Sequence, residues 1–127
     1  MPRILIVDDT KSVHAFVRAL LSKSKTITTE SVYDGVQALE RLKQKNDFDI
    51  IFLDWEMPNL NGPDTLQKIK SLGISTPVLM MTSKNAPEDI ARVLELGASE
   101  YLMKPFTVDI LFEKMSFVLG RAVEYAA

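Results

Sequence analysis

Three short runs made entirely of apolar residues constrain the fold of this chain more than any other feature of its sequence. They are residues 4–7 (ILIV), 50–53 (IIFL) and 78–81 (VLMM). Each run is too short for a helix, and none alternates with polar residues as a strand with one solvated face does. Buried strands of this kind are typical of a parallel sheet that helices cover on both faces. The sequence therefore predicts an α/β fold.

Helical periodicity between these runs, with two weaker strand signals at residues 27–32 and 100–103, completes an alternating pattern. In the first gap an apolar stripe repeats at helical spacing; it consists of Val13, Phe16, Val17, Leu20 and Leu21. Later helices begin at residues that favour helix starts, which are Asp34 with Gln37, Pro63, Pro87 and Thr107. Five strands alternating with five helices predict a (βα)5 three-layer sandwich with a five-stranded parallel sheet.

Composition narrows the class of protein. The chain has 127 residues and a formal net charge of −2, which suits one domain, predicted to span residues 1–127. Ordinary apolar content excludes a disordered chain, and the lack of a basic run argues against nucleic-acid binding. With no cysteine and one histidine, disulfides and multi-histidine zinc sites are excluded. No apolar run is long enough to span a bilayer, so we predict a cytoplasmic protein without membrane insertion.

Chemically reactive side chains follow four of the predicted strands. Strand 1 ends in Asp8 and Asp9, strand 3 in Asp54, strand 4 in Thr82, and strand 5 in Lys104. In open α/β sheets, sites form at the carboxyl ends of the strands, where the strand order reverses. An aspartate after a strand often only starts a turn or caps a helix, but four such ends together favour a common site.

The charges of these residues indicate what the site would need. Three carboxylates held close together repel one another unless cations neutralise them, and Lys104 leaves about two negative charges uncompensated. Mg²⁺ suits such oxygen ligands because it takes one or two carboxylates and keeps water and phosphate oxygens. A metal beside a carboxylate, a lysine and a hydroxyl is the equipment of phosphoryl transfer. Without a cysteine nucleophile, an aspartate that forms an acyl phosphate is the natural acceptor.

At this point the sequence resembles the receiver domains of two-component response regulators over essentially its whole length. The matching segments are residues 5–9 (LIVDD), 34–35 (DG), 38–39 (AL), 57–58 (MP), 82–83 (TS) and 97–106 (GASEYLMKPF), together with Asp54 and Gly62. The ordered set is specific, although single motifs such as Lys-Pro are not. The resemblance implies a flavodoxin-like fold with the strand order 2-1-3-4-5.

The resemblance also implies a phosphorylation site. Asp54 would be the phosphoacceptor for a phosphohistidine of a sensor histidine kinase or histidine phosphotransfer protein, or for a small phosphodonor. Mg²⁺ would be held by Asp9, Asp54 and the main-chain carbonyl of Glu56, with Asp8 acting mostly through a metal-bound water. Lys104 would pair with the phosphoryl oxygens, and its bond to Pro105 is expected to be cis.

A conformational switch is implied by the same likeness. The Thr82 hydroxyl would bind the phosphoryl group, and the aromatic ring of Tyr101 would turn inward as Thr82 moves. The surface of helix 4, strand 5 and helix 5 would then bind a downstream protein. The expected function is that of a phosphorylation-activated, chemotaxis-type signalling switch which is not an enzyme beyond its own phosphorylation and dephosphorylation, and which is a monomer or weak dimer.

Residues flanking the site could adjust how long a phosphoryl group persists. Glu56 and Lys84, two residues after Asp54 and Thr82 respectively, carry opposite charges and could form a bridge over the site. We interpret this pair either as a barrier to attacking water or as a solvated surface pair worth under about 1 kcal/mol. Trp55 is expected to pack beneath helix 3 rather than to shield the site.

Two surface features are also predicted. His14 lies one position off the apolar stripe of the first helix, so we expect it to face solvent. The last helix carries more apolar side chains than one core contact needs. Its additional residues, with two nearby aromatic residues, could form a partner or dimer surface, or most of them could be buried against the domain. They are Phe112, Phe117 and Leu119, with Phe106 and Tyr101.

Three alternatives stay open at the level of sequence. The chain could be a receiver module cut from a larger response regulator, which would have the same sequence features. A Mg²⁺-dependent phosphohydrolase with an aspartyl nucleophile would use similar groups, but such enzymes carry a second aspartate where this chain has Glu56. A degenerate receiver acting as a constitutive binding module is disfavoured because the full acidic set, Thr82 and Lys104 are present.

Overall fold

Five strands alternate with five helices in the computed structural model, which describes residues 2–126. The strands are β1 (Arg3–Val7), β2 (Thr28–Val32), β3 (Ile50–Asp54), β4 (Val78–Thr82) and β5 (Glu100–Met103). The helices are α1 (Lys11–Leu21), α2 (Gly35–Gln44), α3 (Gly62–Ser71), α4 (Pro87–Glu95) and α5 (Val108–Leu119).

All strands pair in parallel, as the sequence pattern predicted, and their order is β2-β1-β3-β4-β5, as the resemblance implied. The three central strands are the three apolar runs, and they are buried on both faces. The edge strands β2 and β5 are only partly buried, in keeping with their mixed sequences. Because strand order reverses beside β1, the ends of β1 and β3 border the crevice where such folds place their sites.

Alternating side chains of the central strands divide the core into two layers. Leu5 and Val7 of β1 belong to the layer that α2, α3 and α4 cover. Ile4 and Ile6 point to the opposite face and pack in the layer beneath α1 and α5. Each fully buried aliphatic side chain contributes roughly 1.5–3 kcal/mol, so both layers hold the strand ends in fixed positions.

The predicted helix starts at Asp34 and Thr107 are confirmed. The Asp34 carboxylate accepts a hydrogen bond from the Gln37 amide at 2.8 Å, and the Thr107 hydroxyl accepts one from the amide of Ile110. At the other end of α5, Gly120 has a φ of 70°, a left-handed conformation that favours glycine as a helix terminator.

The prediction that His14 faces solvent is wrong. Its side chain is 2% exposed, whereas Phe16, placed on the buried stripe by the sequence analysis, is 43% exposed. The buried face of α1 is formed by His14, Val17 and Leu21, a spacing of three and four residues that suits a helix as well as the predicted stripe does. Phe16 lies at the rim, where its ring packs against Phe106 with centroids 5.5 Å apart.

The apolar residues that the last helix was predicted either to expose or to bury are divided between the two outcomes. Phe112 is 1% exposed and Phe106 is 6% exposed, while Phe117 is 73% exposed. The segment after α5 folds back over the helix, and the Tyr125 ring stacks on Phe112 with centroids 4.3 Å apart. Residues beyond the helix therefore cover part of the face that the sequence left open.

No helix among residues 2–126 combines the length and apolar character needed to cross a lipid bilayer.

Replacing Gly62, the first residue of α3, should disturb the fold beside the pocket described below. A Cβ atom there would lie 2.3 Å from the carbonyl oxygen of Asp54 and 2.9 Å from Trp55 Cα, so backbone must move. We expect Gly62→Ala to lower the free energy of unfolding by about 1–3 kcal/mol and to shift the fluorescence of Trp55, both measured during urea denaturation.

Gly73→Ala is the matched control. Gly73 has a φ of +77° but open space around it, so alanine there is expected to cost about 1–2 kcal/mol through backbone strain alone. The native fluorescence of Trp55 should be unchanged. If Gly62→Ala also left that fluorescence unchanged, the proposed close fit of α3 against the end of β3 would be wrong.

Candidate functional site

An open polar pocket of about 630 Å³ lies at the carboxyl edge of the sheet. It is bordered by the ends of β3 and β4 and by the loops that follow β1, β3, β4 and β5. Seven residues singled out one by one in the sequence line it: Asp9, Asp54, Trp55, Glu56, Thr82, Lys84 and Lys104. The fold thus brings together residues from four separate parts of the chain.

Lys104 connects two of the strand ends. Its ammonium nitrogen Nζ donates a hydrogen bond to Asp54 Oδ1 at 2.9 Å and another to Asp8 Oδ2 at 3.1 Å. The main-chain N–H of Lys104 also donates to the carbonyl of Thr82 at 2.8 Å, which anchors the residue to the end of β4. The peptide bond between Lys104 and Pro105 is cis, as expected.

Asp8 is fully buried and each of its polar groups has a partner. Its N–H donates to the carbonyl of Val32, and its Oδ1 accepts from the Thr10 N–H at 2.9 Å. Lys104 binds Oδ2, and the main-chain carbonyl lies 2.7 Å from His14 Nε2. Asp9, by contrast, is exposed, and its carboxylate has only a 3.5 Å contact with the Thr10 hydroxyl among residues 2–126.

The three aspartates fit a divalent cation. One carboxylate oxygen each of Asp8, Asp9 and Asp54 lies within 4.8 Å of the others. Hard oxygen donors in a pocket open to water are the ligand set that Mg²⁺ prefers, because it binds one or two carboxylates and retains several waters. The single ammonium group of Lys104 does not balance three carboxylates, so a cation would remove the remaining repulsion.

Burial raises the pKa of Asp54 above its usual value, and the nearby charge of Asp8 adds to this effect, although the hydrogen bond and charge of Lys104 oppose it. For Lys104 burial acts to lower the pKa, but hydrogen bonds and charges from Asp54 and Asp8 outweigh burial and raise it. Lys104 therefore stays charged at neutral pH, whereas ionising Asp54 costs free energy because the carboxylate is partly buried.

Thr82 lines the pocket at the end of β4, and Tyr101 lies on the neighbouring strand β5. Thr82 is 3% exposed, and its hydroxyl oxygen accepts a hydrogen bond from the Lys84 N–H at 2.9 Å, which leaves the hydroxyl proton available for donation. The Tyr101 ring is partly buried against the α2–α4 layer. Lys114 of α5 lies 5.0 Å from the centroid of this ring and forms an ion pair with Glu100 at 3.2 Å.

Glu56 and Lys84 form an ion pair at the mouth of the pocket, with 3.4 Å between Nζ and Oε1. The Lys84 ammonium also lies 5.6 Å from the centroid of the Trp55 ring. Trp55 is 8% exposed and belongs to the α2–α4 core layer, so it packs as expected while one part of it borders the pocket.

The loop between β3 and α3 is fixed by contacts that the sequence analysis missed. Asn59 has a φ of 68°, a left-handed conformation that asparagine tolerates better than most residues. Its Nδ2 donates to Asp34 Oδ2 at 2.8 Å, the same carboxylate that caps α2. The Pro58-Asn59 sequence is itself a turn signal, but its partner 25 residues away is visible only in the fold.

These features define a class of protein: a three-layer α/β domain with an acidic pocket and a lysine at its carboxyl edge. Residues 4–116 match the family model described as the response regulator receiver domain. The chain therefore belongs to the receiver domain family of response regulators. This membership favours a receiver domain over the Mg²⁺-dependent phosphohydrolase that the sequence had left as an alternative.

Individual relatives agree with this assignment. The chain is 31% identical over 120 residues to the chemotaxis protein CheY1 of Helicobacter pylori, covering 93% of this chain and 97% of CheY1. It is 38% identical to the transcriptional regulatory protein CutR of Streptomyces coelicolor, covering 94% of this chain but 54% of CutR. Domains of this similarity thus occur both as nearly whole proteins and as about half of a longer one.

Solved structures show the same fold. The receiver domain of the Francisella response regulator 1452 superposes with a TM-score of 0.86 at 31% identity, covering 94% of this chain and 98% of that one. The chemotaxis protein CheY4 of Vibrio cholerae gives a TM-score of 0.84 at 31% identity, covering 94% and 99%. The predicted fold class is thereby confirmed.

The raised pKa of Asp54 predicts that removing its charge stabilises the metal-free protein. A carboxyl group whose pKa is higher in the folded state favours folding while protonated, and this contribution is lost as the pH rises through that pKa. We expect Asp54→Asn to have a higher free energy of unfolding than the unmutated protein at pH 7 without Mg²⁺. The difference should shrink as the pH falls through the pKa of Asp54, measured by urea denaturation across pH.

Glu124→Gln serves as the control for this comparison. Glu124 is exposed, so its neutralisation should leave stability within about 0.5 kcal/mol and show no comparable pH dependence. A loss of stability in Asp54→Asn at pH 7 would mean that the bond to Lys104 outweighs burial and repulsion.

Proposed function

We propose that this receiver domain is a phosphorylation-activated switch in which Asp54 accepts a phosphoryl group in the presence of Mg²⁺. The observation that carries the proposal is the convergence of three carboxylates within 4.8 Å of one another with the Lys104 ammonium 2.9 Å from Asp54. Positioning and charge neutralisation supply most of the catalysis of phosphoryl transfer, and this pocket offers both.

In the proposed reaction a carboxylate oxygen of Asp54 attacks the phosphorus atom of the donor. A P–O bond to Asp54 forms while the bond between phosphorus and the donor breaks, and a phosphohistidine donor leaves as neutral imidazole after taking up a proton. Lys104 then exchanges its hydrogen bond with Asp54 for one with a phosphoryl oxygen, where a charge-assisted bond is strongest. Because Lys104 remains bound to Asp8, it needs to move little.

Mg²⁺ would be held by Asp9, Asp54 and the carbonyl of Glu56, with Asp8 acting through a bound water. When bound, the cation would neutralise the charge that builds up on the phosphoryl oxygens. Asp54 can serve as acceptor only when ionised, which burial opposes, so a cation next to it would also favour the reactive form.

The conformational response is proposed to run through Thr82 and Tyr101. A phosphoryl group on Asp54 would accept a hydrogen bond from the Thr82 hydroxyl, and the movement of Thr82 would make room for the Tyr101 ring. Moving an equilibrium from 1:99 to 99:1 requires about 5.5 kcal/mol. Two hydrogen bonds to a charged group, each worth about 1.5–3 kcal/mol, supply most of this difference.

The proposed partners are a protein carrying a phosphohistidine, either a sensor kinase or a phosphotransfer protein, and a target protein that binds the α4–β5–α5 face. Receiver domains in general work as signalling modules rather than as enzymes, and we propose the same here apart from self-catalysed phosphorylation and dephosphorylation. A monomeric or weakly dimeric state and a cytoplasmic location stay predictions. Both a free-standing switch and a module of a longer regulator are compatible with the relatives.

Incubation with Mg²⁺ and acetyl phosphate should add one phosphoryl group to the protein, detected by intact-mass spectrometry. Asp54→Asn should show no addition, and chelation of Mg²⁺ should suppress the reaction in the unmutated protein. The fluorescence of Trp55, the only tryptophan and the neighbour of Asp54, should change first with Mg²⁺ and again with the donor.

The matched control is Asp64→Asn, which removes an exposed aspartate from the first turn of α3 and should be phosphorylated normally. A folded, Mg²⁺-loaded protein that gains no mass from several donors, including a phosphorylated kinase, would overturn the proposed function. Repeated turnover of a phosphomonoester would favour a hydrolase instead.

We further propose that the Glu56–Lys84 ion pair slows the loss of the phosphoryl group by restricting the access of water. An exposed pair is worth up to about 1 kcal/mol, which corresponds to roughly fivefold in rate. Lys84→Ala and Glu56→Gln should each accelerate dephosphorylation by up to about fivefold, and the double variant should be no faster than either. An unchanged rate in Lys84→Ala, measured from the decay of the phosphorylated mass, contradicts the idea.

A further inference from the structure

His14 is the only histidine in the chain, and the proposed phosphorylation does not use it. His14 is 2% exposed. It lies on α1, the helix that follows the acidic residues Asp8 and Asp9. Nε2 is 2.7 Å from the main-chain carbonyl oxygen of Asp8. The Tyr33 ring packs beside it with centroids 4.7 Å apart, which limits the positions that the imidazole can take.

The hydrogen bond identifies the proton on the ring. A carbonyl oxygen only accepts, so Nε2 must carry the proton and donate it. Nδ1 is buried and has no hydrogen-bond partner among residues 2–126. When the neutral ring carries its proton on Nε2, Nδ1 has a lone pair and no proton. The ring then has no N–H group that is buried without a partner. The tautomer with the proton on Nδ1 would place the lone pair of Nε2 against the carbonyl oxygen of Asp8. It would also bury the Nδ1–H without a partner.

The carbonyl of Asp8 belongs to the peptide that joins the two acidic residues. A peptide unit is rigid and planar, so fixing this carbonyl also fixes the N–H and the Cα of Asp9, the atom from which the Asp9 side chain projects. Asp8 has three other hydrogen bonds that hold it in place. The Asp9 carboxylate is exposed and has only the 3.5 Å contact with Thr10 within the described chain, so its position depends on this peptide.

We propose that His14 is a positioning residue for the cation site: its Nε2–H orients the Asp8–Asp9 peptide so that the Asp9 carboxylate faces the same pocket as Asp54. The inference rests on the proposed function, because it assumes that these carboxylates bind Mg²⁺. Groups that orient metal ligands through a hydrogen bond typically affect metal affinity by 10–100-fold when removed. His14 does not line the pocket, so it would act on the cation only through the Asp8–Asp9 peptide.

A pair of substitutions separates this role from packing. His14→Met and His14→Gln have similar lengths, but only glutamine has an amide N–H that can take the place of Nε2–H. The Mg²⁺ dissociation constant, from titrations of Trp55 fluorescence without a phosphodonor, should rise about tenfold or more in His14→Met. His14→Gln should restore it to within about threefold of the unmutated value. Urea denaturation without Mg²⁺ records the stability of both variants.

A second measurement uses the unmutated protein and does not depend on how well a variant folds. Long-range ¹H–¹⁵N NMR spectra of the histidine ring should show the tautomer with the proton on Nε2. The other tautomer would overturn the proposal, because Nε2 could then not donate to Asp8.

The outcomes distinguish the inference from the proposed function. Equal Mg²⁺ affinity in the unmutated protein and in His14→Met would show that the histidine is a packing residue only. Equal weakening in the Met and Gln variants would also contradict the role of the donated hydrogen bond. Failure of the unmutated protein to bind Mg²⁺ would instead overturn the proposed function itself.

Discussion

The contact of the Lys104 ammonium with two carboxylates is the interaction on which the site depends. Lys104 reaches Asp54 and Asp8, which lie 50 and 96 residues away in sequence. Two carboxylates this close repel each other in a partly buried pocket, and a single ammonium group between them makes their approach tolerable. Burial and charge act on the pKa of both partners, so the pocket holds a lysine that stays protonated and an aspartate, Asp54, whose ionisation burial opposes.

The sheet makes this arrangement possible by fixing the strand ends. The central strands β1, β3 and β4 are buried on both faces and pair in parallel. A shift of one strand along another by one residue would move its side chains into the opposite core layer and disrupt the close packing of both layers. The polar residues that follow these strands therefore stand at one edge with little freedom. The energy that positions them comes from apolar burial elsewhere in the domain.

A second set of contacts holds the loops around the pocket. The Asp34 carboxylate caps α2 and also binds Asn59, which fixes the loop after β3. Gly62 lets α3 approach the end of β3 more closely than a residue with a Cβ would allow. His14 binds the carbonyl of Asp8 from the first turn of α1. None of these four residues, Asp34, Asn59, Gly62 and His14, lines the pocket, yet each lies in or contacts a loop that borders it.

The sequence alone determined the element order, the parallel sheet and the residues at the strand ends, because each depends on local composition and on the general geometry of βαβ connections. The helix starts at Asp34 and Thr107 were equally local. Tertiary structure decided which face of α1 is buried, since His14 and Phe16 both lie near the apolar stripe and only the shape of the neighbouring layer selects between them. It also decided that the residues after α5 fold back over Phe112, and that Asn59 meets Asp34. Distances between charged atoms are set by the packing of the whole domain, so the balance between burial and ion pairing at Asp54 could not be read from the order of the residues.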